Sequence, residues 1–147
     1  MPTTEGGVTY LTADDVVAIH GRIAARFAAE GLPFGGGLLS RSGLESAVSQ
    51  PRQSFGGVDL YPDLFAKAAA LFRGIICGHV FADGNKRTGM EAGLVSLELN
   101  GREVRLTKDE YVGLALDIAG AGERGKEPIE VEEIAGRLKR GAKKAVR

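Results

Sequence analysis

The run HVFADGNKRTG, residues 79 to 89, places an imidazole, a carboxylate, an amide and two cations within one short stretch. His79 carries the side chain whose ordinary pKa, about 6.5, best suits it to take a proton from an attacking hydroxyl near neutral pH. Asn85, Lys86 and Arg87 open what the downstream pattern marks as a helix. The start of a helix presents unpaired backbone N–H groups and about half a positive charge, so it favours an anion. Two cations in that same first turn are unfavourable for the helix alone, and a phosphate would reverse the penalty. Gly84 permits close approach, Asn85 and the amides supply donors, Lys86 a point charge and Arg87 a planar fork: together, a polyphosphate cradle. Asp83 beside it would repel phosphates unless a cation lay between them, and magnesium commonly uses one or two carboxylates plus substrate phosphates. Taken singly, His79 reads as a helix-ending residue, Asp83 as a turn residue and Arg87 as a solvated charge. Their meaning is collective.

Amphipathic elements on either side must hold these residues in place. Val16, Ile19, Ile23 and Phe27 recur at helical spacing behind Thr12 and Asp15, which form a variant capping box. Ser42 with Glu45 predicts a second start, with Leu44, Ala47 and Val48 as its buried face, ended by Gln50-Pro51. Around Gly56-Gly57, the run RQSFGGVDL reads as a small β-hairpin flap. Arg52, Ser54 and Phe55 there either grip a target peptide by strand addition or are plain hairpin residues. Pro62 suits the first turn of a central helix carrying Leu64, Ala68, Leu71, Phe72, Ile75 and Ile76 up to Cys77. The next helix starts near Asn85 to Arg87, buries Met90, Leu94 and Leu97, and stops at Asn100-Gly101. A Thr107-Glu110 box opens another, with Tyr111, Leu114, Ala115 and Ile118, and Ile129, Ile134 and Leu138 mark the last. The sum is an all-α bundle with a short β-hairpin flap, one domain spanning 1–147, with 1–7 and 141–147 expected to be flexible.

Composition narrows the function classes. Lys plus Arg and Asp plus Glu are both 19, so no net field steers the chain to nucleic acid. With Cys77 as the single cysteine and His20 and His79 as the two histidines, neither an intrachain disulfide nor a structural Cys/His zinc cluster can form. No apolar run approaches the roughly 18 residues of a membrane span and the N-terminus has no signal pattern, so the expected location is cytoplasmic. His20, on the stripe of the first helix, reads as a hydrogen-bonded packing residue. GAGERG, residues 120 to 125, matches a dinucleotide fingerprint, but it follows a helix where that fingerprint follows a strand, and it reads as a loop. Lys139, Arg140, Lys143, Lys144 and Arg147 read as a favourable basic helix end or a frayed terminus, with DNA or RNA contact a secondary reading.

HVFADGNKR resembles the signature of the Fic/Doc superfamily: His, x, Phe, x, Asp or Glu, Gly or Ala, Asn, Gly or Lys, Arg. The segments FGGVDLYPDLFAKAAAL and GLESAV are similar to the flap and core helices of its Doc branch, so the resemblance spans roughly residues 8 to 140. It implies that His79 is the general base, Phe81 a buried anchor, Asp83 the Mg2+ ligand, Gly84 and Asn85 the anion hole, and Arg87 the phosphate-binding arginine. Fic nucleotidyl transferases carry Gly where this chain has Lys86 and usually a second Arg where it has Met90. Both departures point to Doc. That branch implies ATP bound with its γ-phosphate at the histidine, phosphorylation of a Ser or Thr of elongation factor Tu, and translation arrest. The alternatives are AMP transfer from the same site and a non-catalytic partner-binding module. No self-inhibitory Ser/Thr-x-x-x-Glu-Gly/Asn sextet is present. The resemblance therefore implies a toxin held by a Phd-like antitoxin in trans, with nucleic acid reached only through that complex.

Overall fold

A computed structural model describes residues 1–120 and 129–145, with side chains as far as residue 142. The elements run β1 (Thr3–Glu5), β2 (Val8–Tyr10), α1 (Ala13–Ala29), α2 (Arg41–Ser49), β3 (Ser54–Phe55), β4 (Val58–Asp59), α3 (Leu64–Gly78), α4 (Asn85–Leu99), α5 (Lys108–Ala119) and α6 (Val131–Ala145). The architecture is the all-α bundle with a short hairpin flap that the apolar spacing predicts.

α3 is the axis because its sequence, LFAKAAALFRGIICG, is apolar on two faces. Leu71 and Ile75 join Val16, Ile19 and Ile23 of α1, Leu44 and Val48 of α2, and Val80 and Phe81 in one half of the core. Phe72 and Ile76, each one position further round, join Met90 and Leu97 of α4, Leu114 and Ile118 of α5, and Ile134 and Leu138 of α6 in the other. α3 accordingly packs against α2, α4, α5 and α6. Burial of each such side chain contributes about 1.5–3 kcal/mol, so α3 and the loop that follows it are anchored from both sides. α4 approaches α3 through Gly89, against Ile76, and Gly93, against Phe72.

Two sequence expectations are corrected. α2 is capped by Ser40, whose Oγ accepts from Gly43 N at 3.0 Å, while Ser42 lies inside the helix. Pro62 precedes α3: Asp63 is the cap, its carboxylate accepting from Ala66 N at 2.8 Å. At the N-terminus β1 pairs with β2 across Gly6-Gly7, and the Asn100 amide brackets Thr9 with two 2.8 Å bonds. At the other end α6 continues to Ala145. The flap forms where expected, Ser54 opposite Asp59 and Phe55 opposite Val58, with Gly56 and Gly57 both at positive φ as a tight twisted hairpin requires. Beyond Gly120 the GAGERG run lies outside the described residues, as do the side chains of Lys143, Lys144 and Arg147. No described helix is long and apolar enough to cross a membrane.

The capping box of α1 forms as predicted and makes a pH prediction. Burial pushes the Asp15 carboxyl up, but bonds from Thr12 N at 2.7 Å and from the Thr12 hydroxyl, with the amino terminus nearby, hold it below the usual carboxylate range. A depressed folded-state pKa means the unfolded chain binds the proton more readily, so this stabilisation is complete above about pH 4 and is lost as pH falls through the folded value. Denaturant midpoints of the parent and Asp15→Asn should differ by about 1 kcal/mol at pH 7 and converge towards pH 2. A gap that is constant over that range would refute the account.

Candidate active site

α3 ends at His79, which adopts left-handed backbone, φ 47 and ψ 48, and is the one non-glycine residue at positive φ among those described. A left-handed residue is a common helix stop, but without glycine it carries strain of order 1–3 kcal/mol. The conformation turns the chain sharply, so Val80 and Phe81 plunge into the core, 0% and 1% exposed, while His79 stays at the surface. Phe81 thus takes the anchoring place that the resemblance implies. The His79 ring makes no hydrogen bond among the described residues, and it borders a cleft of about 380 Å3.

The floor of that cleft is the loop Ala82–Asn85 and the first turn of α4, and the far wall is α5, through Tyr111, Val112, Ala115, Leu116 and Ala119. The cap of α4 is Gly84, at φ 82, with no side-chain bond to the first-turn amides. The first N–H groups of a helix have no intrahelical partner, and here no cap consumes them. Lys86 and Arg87 stand exposed over them, and neither forms an ion pair among the described residues. Uncapped amides beside two exposed cations with no ion pair among the described residues are able to receive an anion.

The Asn85 side chain has a different task from the one its type suggests. Its Oδ1 accepts from Phe81 N at 3.0 Å and its Nδ2 donates to Phe81 O at 2.8 Å. This pair clasps the loop, leaving donation to anions to the backbone. Asp83 is exposed, each carboxylate oxygen accepting one backbone N–H: Oδ2 from Gly35 and Oδ1 from Gly84, both at 2.8 Å. Each oxygen keeps a further lone pair, so the group is oriented and still able to bind a hard cation. No cluster of three His, Cys, Asp or Glu among the described residues could hold a metal alone. The donor set fits a magnesium ion shared with bound phosphates.

The sequence reading missed two supports. The segment between α1 and α2 runs antiparallel to the loop: Leu38 bridges Phe81, Ala82 N donates to Gly37 O at 2.9 Å, and Leu39 N donates to Val80 O at 2.8 Å. Its glycines read only as punctuation, yet a Cβ on Gly35 would press the Asp83 carboxylate at 3.2 Å. The second is the Tyr111 hydroxyl, which donates to Glu91 at 3.3 Å. Burial and that neighbouring carboxylate push the phenol up, so it stays a donor at neutral pH. Tyr111 reads as core from periodicity, and nothing local distinguishes a core tyrosine from a cleft wall.

The flap residues do not line the cleft. Arg52 lies in a 3-10 turn before the flap, its guanidinium on Glu5 at 3.3 Å and over the Tyr10 ring at 4.8 Å, so it braces the N-terminal hairpin and does not join the flap. Ser54 and Phe55 are in β3, and Phe55 is 81% exposed.

Comparison with known proteins converges on the same segment. Residues 10–97 match the model of the Fic/DOC family. Over 131 residues the chain is 35% identical to "Toxin Doc" of Mycolicibacterium smegmatis, covering 88% of this chain and 90% of that protein. It is 28% identical over 131 residues to "Protein kinase doc" of Escherichia phage P1, covering 89% and 94%. A family match over more than half of the chain, with sequence similarity running along nearly the full length of both relatives, makes the chain a member of the Fic/DOC family, in its Doc branch.

Proposed function

We propose that the chain is a Doc-type toxin that transfers the γ-phosphoryl group of ATP to a Ser or Thr hydroxyl of a translation factor, elongation factor Tu in the reading that the family resemblance supplies. The observation that carries this is Lys86, exposed and without an ion pair among the described residues, in the uncapped first turn of α4 beside Arg87. An extra cation there favours the more highly charged end of a nucleoside triphosphate. The phage P1 relative, named a protein kinase, supports the same direction of transfer.

In this mechanism the first-turn amides, Lys86 and Arg87 hold the γ-phosphate and neutralise the charge that spreads over its oxygens. Asp83 would hold magnesium, which when bound supplies further charge neutralisation between the phosphates. The free imidazole of His79 accepts the proton of the acceptor hydroxyl as its oxygen bonds to the γ-phosphorus. The bond from that phosphorus to the β–γ bridging oxygen breaks, and ADP leaves. The apolar wall of Val112, Ala115, Leu116 and Ala119 gives the base of the nucleotide a surface on which to lie. Control falls to an antitoxin acting in trans, Phd-like in the reading that the family resemblance supplies; the M. smegmatis relative is named a toxin.

The second reading, AMP transfer, uses the same residues with ATP reversed. ATP labelled separately at the α and γ positions separates the two. The γ label should appear on the acceptor protein, and α label on the acceptor would overturn phosphoryl transfer.

A further inference from the structure

His20 is 6% exposed in α1, far in sequence from the loop it touches. Its Nε2 lies 2.9 Å from the carbonyl oxygen of Asp83. Its ring stacks on Phe81, centroids 3.9 Å apart and planes within 5°, and meets Phe34 edge-on at 5.2 Å. A carbonyl oxygen can only accept, so Nε2 carries the hydrogen, and the two aromatic contacts fix the plane in which it points.

The carbonyl it holds belongs to the Asp83–Gly84 peptide. A trans peptide directs its C=O and N–H to opposite sides. With the C=O turned to His20, the Gly84 N–H faces the other way and is taken by Asp83 Oδ1 at 2.8 Å. The reverse orientation would set a carbonyl oxygen against the Asp83 carboxylate, beside the amides that collect anions. Gly84 does little to prevent that reversal, since glycine is the residue most free to change its φ and ψ. The restraint has to come from a neighbour, and the only hydrogen bond to that carbonyl among the described residues is from His20.

We infer that His20 is a positioning residue for phosphate binding: its Nε2–H holds the Asp83–Gly84 peptide so that the carbonyl points away from the cleft and the Asp83 carboxylate points into it. The inference rests on the nucleotide-site reading above for its consequence, but its structural claim about one peptide can be judged separately.

The test compares the parent with His20→Phe, which retains a ring to stack on Phe81 and loses the donor, and with His20→Gln, which retains a donor. Two quantities are read in each: ATP affinity by calorimetry with magnesium present, and exchange of the Gly84 amide by NMR. Loss of one oriented polar restraint should weaken ATP about tenfold in His20→Phe and speed Gly84 exchange, with the melting transition still cooperative, and His20→Gln should recover most of both. A folded His20→Phe with parent-like affinity and exchange would overturn the inference. Should the parent bind no ATP, the nucleotide reading fails, and unchanged Gly84 exchange in His20→Phe would still sink the role of His20 by itself. If His20→Phe does not fold, His20→Gln decides: parent-like exchange at Gly84 supports the donor role, and lost protection in the folded variant refutes it.

Discussion

Removing the imidazole at position 79 should lower phosphoryl transfer by about 10^2- to 10^4-fold, the usual contribution of a positioned general base. The effect should fall on kcat, with the KM for ATP little changed, because the phosphates are held by the first turn of α4 and by Lys86 and Arg87. The choice of variant matters. His79 is left-handed at the end of α3, and alanine there bears the full cost of that conformation, whereas asparagine tolerates it. His79→Asn therefore separates lost chemistry from a lost helix stop, and His79→Ala provides the comparison. Both should retain nucleotide binding by calorimetry and both should relieve growth arrest when expressed. Growth arrest by His79→Asn or by Asp83→Ala as strong as the parent's would favour the binding-module reading over catalysis.

Gly93→Ala should be the most damaging single-methyl change in the molecule. A Cβ at Gly93 would overlap the Phe72 ring, which is wholly buried in the second half of the core. Helix propensity alone favours alanine over glycine by about 1 kcal/mol. Overpacking against a ring that cannot move commonly costs 1–3 kcal/mol and sometimes more, and here α3 and α4 must part. A net loss of about 3 kcal/mol, or about 10 °C in Tm, is expected from chemical and thermal denaturation. Gly113→Ala, on α5 with no atom within 4 Å of its Cβ, should instead be neutral or stabilising by up to about 1 kcal/mol. Equal effects at the two positions would show that backbone propensity, not the α3–α4 approach, sets the cost. The change also bears on the proposed function, since α3 carries His79 and α4 carries Lys86 and Arg87, and the spacing of the two helices sets the separation of these side chains.

Much of this was legible in the chain. The stripes of α1, α3 and α4 follow from 3.6-residue periodicity, and the capping boxes at Thr12–Asp15 and Thr107–Glu110 form as read, because a cap is a local bond between residues three apart. At the start of α2 pattern alone misled: the Ser42–Glu45 spacing suggested a box, but Ser40 Oγ takes the Gly43 N–H and Ser42 lies inside the helix. Gly6-Gly7 read as a break because each strand beside it is only three residues long, too short to show alternation.

The proximity of the candidate site residues was likewise set by sequence: His79, Asp83, Lys86 and Arg87 lie within one loop and one helical turn, so their closeness is covalent. What folding alone decided is everything that crosses long sequence distances. It brought His20, Phe34 and Gly35 against the loop from 48 to 63 positions away, and set the α5 wall opposite His79. It also assigned the Asn85 amide to Phe81 and Arg52 to the N-terminal hairpin. A residue's type fixes which bonds it can make, but a polar group takes whichever partner the packed core places within about 3 Å, and that choice is written only in three dimensions.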